Sequence, residues 1–286
     1  MRQTKGLFWL SSYPKSGNTW FRVFLANVLH AANKTIALND VDQLINDRIV
    51  TDRAFMDKVC GFNTALLNDN ELDTLNPSIY KWVGMAQQEI SYHKTHKAYT
   101  YVNVNEPLIP NQGCLGSIYF VRNPLDVAIS LANHFSFSIN EAIEMLGNKT
   151  YSLTHFPLRQ TLLSWSMHVN SWVNAESINL LVLRYEDMHL DPLITFTKAA
   201  QFLQLDTTPE MINQAISLAQ FDKLQQYEAT IGFMDKPPKL KHFFRKGTVG
   251  DWQNTLTESQ VQQIIHEHGD TMQAFGYVDA NHQPIT

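Results

Sequence analysis

Three short apolar runs punctuate the chain: Leu7-Phe8-Trp9-Leu10, Ile118-Tyr119-Phe120-Val121 and Leu180-Leu181-Val182-Leu183. Each is continuous rather than alternating, the pattern of a strand covered on both faces. Turn residues follow each run, and then apolar positions at helical spacing. After the first, Trp20, Phe24 and Val28 recur with Phe21, Leu25 and Leu29; after the second, Leu125, Val127, Ala128 and Leu131 follow Pro124. A proline suits the first turn of a helix, where its missing N–H costs nothing. After the third run come Ile194, Phe196, Ala199, Ala200 and Leu203. Repeated strand-then-helix units predict an α/β fold with a central parallel sheet flanked by helices. Further helices are predicted over 158–175, 208–226 and 257–273, the last two with Thr207 or Thr208 and Thr257 as caps. Residues 33–90 carry no regular period. They read as an irregular, candidate substrate-binding insertion in one domain spanning 1–286.

Composition narrows the class. The chain has 286 residues, 44% of them hydrophobic, enough to bury a sizeable core, and its 11 prolines and 12 glycines are too few for a disordered chain. A formal net charge of −5 argues against general nucleic-acid binding, so any basic groups that matter are local. Two cysteines, Cys60 and Cys114, make no disulfide framework and suit a reducing compartment. No apolar run approaches membrane-spanning length, and no signal-peptide core precedes a small-residue cleavage site. A cytoplasmic protein is the expectation, with the Asn33 and Asn148 sequons arising by chance.

The candidate chemistry lies at the turns after the strands. Ser12-Tyr13-Pro14-Lys15-Ser16-Gly17-Asn18-Thr19-Trp20 joins the first strand to the first helix. A helix N-terminus offers unpaired N–H groups and a positive dipole end to an anion. Gly17 permits close backbone approach, Ser16 and Thr19 supply hydroxyls, and Lys15 supplies a mobile charge. The order is not that of a Walker A loop, in which the lysine follows the second glycine. Arg122, at the end of the second strand, is suited to bidentate bonds with a phosphate, or equally to a salt bridge with Asp126. Ser130 falls two turns into the following helix. Phe243-Phe244-Arg245-Lys246-Gly247-Thr248-Val249-Gly250-Asp251-Trp252 is a cationic loop fit to close over an anion or simply to face solvent.

Taken in order, these strings resemble the motifs of the sulfotransferases that use 3′-phosphoadenosine-5′-phosphosulfate (PAPS). Tyr13–Trp20 is similar to the family's Y-P-K-S-G-T-T-W, with Asn18 in place of the commoner Thr. Arg122–Ser130 is similar to R-N-P-x-D-V-x-x-S, and Arg245–Trp252 to R-K-G-x-x-G-D-W. The resemblance spans nearly the whole chain and implies a P-loop-like three-layer fold. It implies that Lys15, Ser16, Gly17, Asn18 and Thr19 surround the 5′-phosphosulfate and that Trp20 stacks on adenine. Arg122, Ser130, Arg245, Lys246 and Gly247 would hold the 3′-phosphate, and Phe243 would line the purine pocket. Leu183–Met188 resembles the R-Y-E-D-M/L segment and brings Tyr185 to the adenine. Ala219-Gln220-Phe221 stands where the family has T-S-F, so Phe221 keeps the aromatic contact while Ala219 lacks the hydroxyl.

Lys94-Thr95-His96 matches the family's catalytic K-T-H. The resemblance makes His96 the general base and Lys94 and Lys15 the cations that stabilise the sulfuryl oxygens and the leaving phosphate. His93 is not the base. No His, Cys, Asp cluster has zinc-like spacing, and no metal is expected. The acceptor is expected to be a small molecule carrying a hydroxyl or an amine, as in bacterial members that modify natural products. His134, Phe135, Phe137, Trp165, Trp172 and Phe233 line its pocket or belong to the core. The family's dimer motif, K-x-x-x-T-V-x-x-x-E, is missing both Lys and Val near Thr257, so the resemblance carries no dimer interface. Two other readings stay open: a nucleotide-dependent kinase of related fold, disfavoured by the missing Walker A order, and a non-catalytic binder of adenosine 3′,5′-bisphosphate (PAP), which would have no need of Lys94 and His96.

Overall fold

The computed structural model describes residues 5–30, 36, 38–103 and 105–285. Its centre is a parallel sheet of five strands: β1 (Gly6–Ser12), β2 (Ile45–Asn46), β3 (Ile90–Thr95), β4 (Cys114–Val121) and β5 (Leu180–Arg184), in the order β2-β3-β1-β4-β5. All seven residues of β1 are buried, as are the last six of β4, which accounts for their unbroken apolar runs. Alternate side chains divide between two cores. Leu7, Trp9 and Tyr119 enter the one completed by Trp165 and Trp172, and Phe8, Leu10 and Phe120 enter the one completed by Phe21, Phe24 and Phe196. Helices on both faces make the three layers.

After β1 the chain runs out to β2 and β3 on one side and then returns to β4 and β5 on the other. The carboxyl ends of β1 and β4 therefore border a switch point in the strand order, where an open parallel sheet leaves a crevice for a ligand.

Several expected elements differ in extent. The region expected as one helix over 158–175 is helical only over Trp165–Val173, because the Ser164 side chain caps it by accepting from Met167 N–H. Gln160–Thr161 instead pairs antiparallel with Ser152–Leu153. The stretch expected as a helix over 208–226 is two, Pro209–Leu218 and Phe221–Ile231, parted at Gln220, whose ψ of 141° is extended. The irregular region contains an 18-residue helix, Asp69–Ala86, opened by an Asn68–Glu71 capping box. Pro77 inside that helix and the polar residues of its first turns masked its period. β3 was also unforeseen, since Ile90-Ser91-Tyr92-His93-Lys94-Thr95 is half polar and only half buried. The Asn33 sequon lies outside the described residues; the Asn148 side chain accepts from Thr150 N–H and Oγ1. Among the described residues no helix is long and apolar enough to cross a membrane.

Candidate active site

The crevice holds a cavity of about 620 Å³, lined from the loops after β1, β3 and β4, from the helix Tyr185–Leu190 after β5, and from the segment after Ile231. Lys15, Gly17, Asn18, Thr19, Trp20, Lys94, His96, Arg122, Ser130, Tyr185, Phe221, Phe243, Arg245, Lys246 and Gly247 all border it. Of the expected donor-binding and catalytic residues only Ser16 does not, and its side chain is buried.

The turn after β1 is shaped to receive an anion. Helix Asn18–Leu29 begins at Gly17, which is left-handed at φ 96°, and among the described residues no side chain caps its first N–H groups. A Cβ at Gly17 would stand 2.6 Å from the Tyr185 ring, so only glycine lets the ring close over the loop. The buried Ser16 Oγ, Trp20 Nε1 and Arg122 Nε have no partner among the described residues. Buried polar atoms left unpaired are costly, and at Trp20 and Arg122, which border the cavity, a polar ligand would repay that cost.

Arg122 is fixed before any ligand arrives. It donates to Lys15 O at 3.2 Å and Thr248 O at 3.1 Å, and its guanidinium lies 4.2 Å from the centre of the Tyr185 ring. Asp126 sits 3.9 Å from Arg122, but its oxygens accept from Gly250 N–H at 2.8 Å and Trp252 N–H at 3.0 Å. It fastens the closing loop to the sheet. In that loop Arg245 and Lys246 both pair with Asp251, at 2.7 and 2.6 Å. Gly247 is left-handed at φ 64°, and a Cβ there would stand 2.2 Å from the Phe221 ring.

The turn after β3 is clamped by the helix Trp165–Val173. His168 Nε2–H donates to His96 O at 3.0 Å, and Trp172 Nε1–H donates to Lys97 O at 3.0 Å. The His96 ring is oriented by β1: Nδ1 lies 2.9 Å from Ser12 O. A carbonyl only accepts, so Nδ1 carries the proton and Nε2 keeps its lone pair. Burial, reinforced by the Lys94 charge, holds the His96 pKa well below the usual histidine value.

Lys15 borders the cavity from the turn after β1. Its φ is +70°, and its ammonium sits 3.4 Å from His134 Nδ1 and 4.1 Å from the centre of the Phe243 ring. Burial, with Arg122 and Lys94 nearby, pulls its pKa down to about 7. His134 is pushed down to about 3 by burial and by Lys15.

The cavity lining also includes the apolar residues Phe135, Leu153, Phe156, Met234, Pro237 and Pro238. Of the aromatic candidates, His134 and Phe135 border it. Trp165 and Trp172 are core at 0% exposure, Phe137 packs against that core, and Phe233 is buried against Phe243 and Phe244. Sequence reasoning missed Asp47, His155, His189 and Asp235, which border the cavity. His189 carried a signal, lying four residues after Tyr185 with its ring 4.6 Å from Trp20. Asp47 and Asp235 carried none, because the segments bearing them have no period. Among the described residues no group of three or more His, Cys, Asp or Glu is arranged to hold a metal ion.

The sulfotransferase domain family matches residues 6–276, and the chain belongs to that family. It is 28% identical to mouse sulfotransferase 2A6 over 163 residues, which are 55% of this chain and 56% of the mouse protein. The matched stretch thus spans little more than half of that relative. It is 24% identical to rat sulfotransferase 1 family member D1 over 273 residues, covering 92% of this chain and 82% of the rat protein. Retinol dehydratase, solved in complex with androsterone and the inactive cofactor PAP, superposes with a TM-score of 0.66 at 20% identity. That superposition covers 98% of this chain and 84% of retinol dehydratase, and it shows a shared fold.

Proposed function

We propose that the chain transfers a sulfuryl group from PAPS to a hydroxyl or amine of a small-molecule acceptor, releasing PAP. The observation that carries this reading is the single cavity bordered at once by the anion loop Lys15–Trp20, by Arg122, and by Lys94 and His96. Membership of the sulfotransferase family and the PAP bound to a structural relative support it. The unpaired Ser16 Oγ, Trp20 Nε1 and Arg122 Nε fit an anionic nucleotide, as do the glycines at 17 and 247, whose positions leave no room for a Cβ.

In this reading PAPS supplies a sulfur centre open to in-line displacement. The acceptor oxygen forms a bond to sulfur as the bridging S–O bond breaks, and the electron pair leaves on the 5′-phosphate of PAP. His96 Nε2, neutral and lone-pair-bearing, receives the acceptor proton. Lys94 faces the sulfuryl oxygens and Lys15 the bridging oxygen, as charges preorganised for the transition state. Lys15 to Thr19 hold the 5′-phosphate, Arg122, Ser130 and Arg245 to Gly247 the 3′-phosphate, and Trp20, Tyr185, Phe221 and Phe243 the purine. Asp251 releases Arg245 and Lys246 when the 3′-phosphate enters. The apolar part of the cavity lining takes the acceptor. The whole chain acts as one domain, in the cytoplasm.

Thermal-shift titration separates this reading from a kinase. PAP binding to the native state raises the melting temperature, and ATP raises it far less; equal shifts with both overturn the assignment of the donor. Radiolabelled PAPS incubated with the protein and an acceptor library then separates an enzyme from a passive PAP binder, which labels nothing.

A further inference from the structure

The segment between the first helix and β3, irregular in sequence, delivers one carboxylate to the transfer end of the cavity. β2 pairs in parallel with β3, with Ile45 opposite Tyr92 and Asn46 opposite His93. The next residues along are Asp47 and Lys94, and their side chains meet: Lys94 Nζ lies 3.5 Å from Asp47 Oδ2. The other carboxylate oxygen, Oδ1, accepts from Thr51 Oγ1 at 3.1 Å. The Asp47 carbonyl also accepts from Val50 and Thr51 N–H, so backbone and carboxylate are both held.

Lys94 shares this space with other cations, since Arg122 and Lys94 both act on Lys15. A lysine is a mobile, strongly hydrated charge on a flexible stem. Repelled by Lys15, and drawn by Asp42 and Asp235 only at longer range, it would swing toward water without a carboxylate in direct contact. Yet the Lys94 side chain is only 16% exposed. We propose that Asp47 is a positioning residue for sulfuryl transfer, holding the Lys94 ammonium at the transfer end of the cavity before the donor arrives. The proposal rests on the role given to Lys94 above, and it gives the irregular segment a task in the chemistry. Asp47 touches neither donor nor acceptor; it acts through Lys94.

The test needs no knowledge of the acceptor, because water can take the sulfuryl group slowly. Release of labelled sulfate from PAPS is measured for the wild type, Asp47→Asn, Asp47→Glu, Lys94→Ala and Asp47→Asn/Lys94→Ala, with PAP affinity and melting temperature alongside. Asparagine keeps the Thr51 bond and removes the charge. The expected result is about a tenfold fall in turnover for Asp47→Asn with PAP affinity unchanged, since misplacing a group by an ångström can cost that or more. Glutamate restores most of the rate, and the asparagine change has no further effect in the Lys94→Ala background. Three outcomes overturn the proposal: wild-type turnover in Asp47→Asn, a loss that is fully additive with Lys94→Ala, or a loss matched by falls in PAP affinity and melting temperature. A wild type that binds PAP but neither releases sulfate nor labels any acceptor overturns the enzymatic reading and this proposal with it. An active wild type beside an indifferent Asp47→Asn overturns this proposal alone.

Discussion

His96 Nδ1 lies 2.9 Å from the carbonyl oxygen of Ser12, the last residue of β1, so one strand sets the tautomer of a histidine presented by its neighbour. The hydrogen bond leaves Nε2 free to receive a proton. The low pKa of the ring keeps it neutral throughout the physiological range.

His96→Ala is therefore expected to lower sulfuryl transfer by about 10²- to 10⁴-fold, the usual worth of a general base. PAP affinity, read by calorimetry, stays within about twofold, because none of the proposed nucleotide contacts involves the ring. Near-normal turnover in the variant would remove His96 from the mechanism.

The Lys15 ammonium, with its pKa near 7, makes donor binding sensitive to pH. Below pH 7 the free protein carries the charge that an anionic nucleotide needs. Above it, binding must draw a proton from solution. PAP affinity should fall as pH rises from 6 to 8.5, with proton uptake visible as a buffer-dependent heat of binding at pH 8. Lys15→Met flattens both trends; a wild type whose affinity ignores pH over this range contradicts the account.

Ser16→Ala should move stability and binding in different directions. The hydroxyl is buried with no partner among the described residues, so removing it costs the free protein nothing and can stabilise it. PAP binding loses one hydrogen bond to a charged group, about 1.5–3 kcal/mol, or roughly 10- to 150-fold in affinity. Denaturant melts and PAP titrations of the same variant check both signs.

His168 predicts the acid limb of stability. Its ring is fully buried, accepts at Nδ1 from Tyr119 OH at 2.9 Å, donates from Nε2 to His96 O, and has a pKa pulled down to about 4 by burial. The unfolded chain takes up this proton near pH 6.5, before the folded one does. Stability is therefore whole above pH 6.5 and lost as pH falls toward 4, by about 3 kcal/mol for this group alone. In His168→Gln the midpoint of urea unfolding should vary less between pH 6.5 and 4; an unchanged slope would place the acid sensitivity elsewhere.

The parts of the molecule legible in sequence were those under local rules. β1 and β4 announced themselves because strands buried on both faces are apolar without interruption, and β5, buried at alternate positions, is apolar over four residues as well. The turns after β1 and β4 were legible because anion binding demands particular residues within a few positions: Lys15 to Thr19 before a helix, Arg122 at a strand end. β3 was hidden because it carries Lys94 to the cavity and is half polar for that reason. Only the resemblance of Lys94-Thr95-His96 to a known motif drew attention to it.

The class of fold, the anion-binding turns and the candidate base were open to reading from the sequence, since each is encoded by a short run of residues. Tertiary structure alone decided how those runs combine. The order β2-β3-β1-β4-β5 sets His96 beside Ser12, separated by 84 positions, and His134 beside Lys15, separated by 119. It also pairs Asp47 with Lys94 across a two-residue strand that no periodicity marks. Tautomers, shifted pKa values and paired charges depend on distances of about 3 Å between groups remote in the chain, and only the packed sheet fixes such distances.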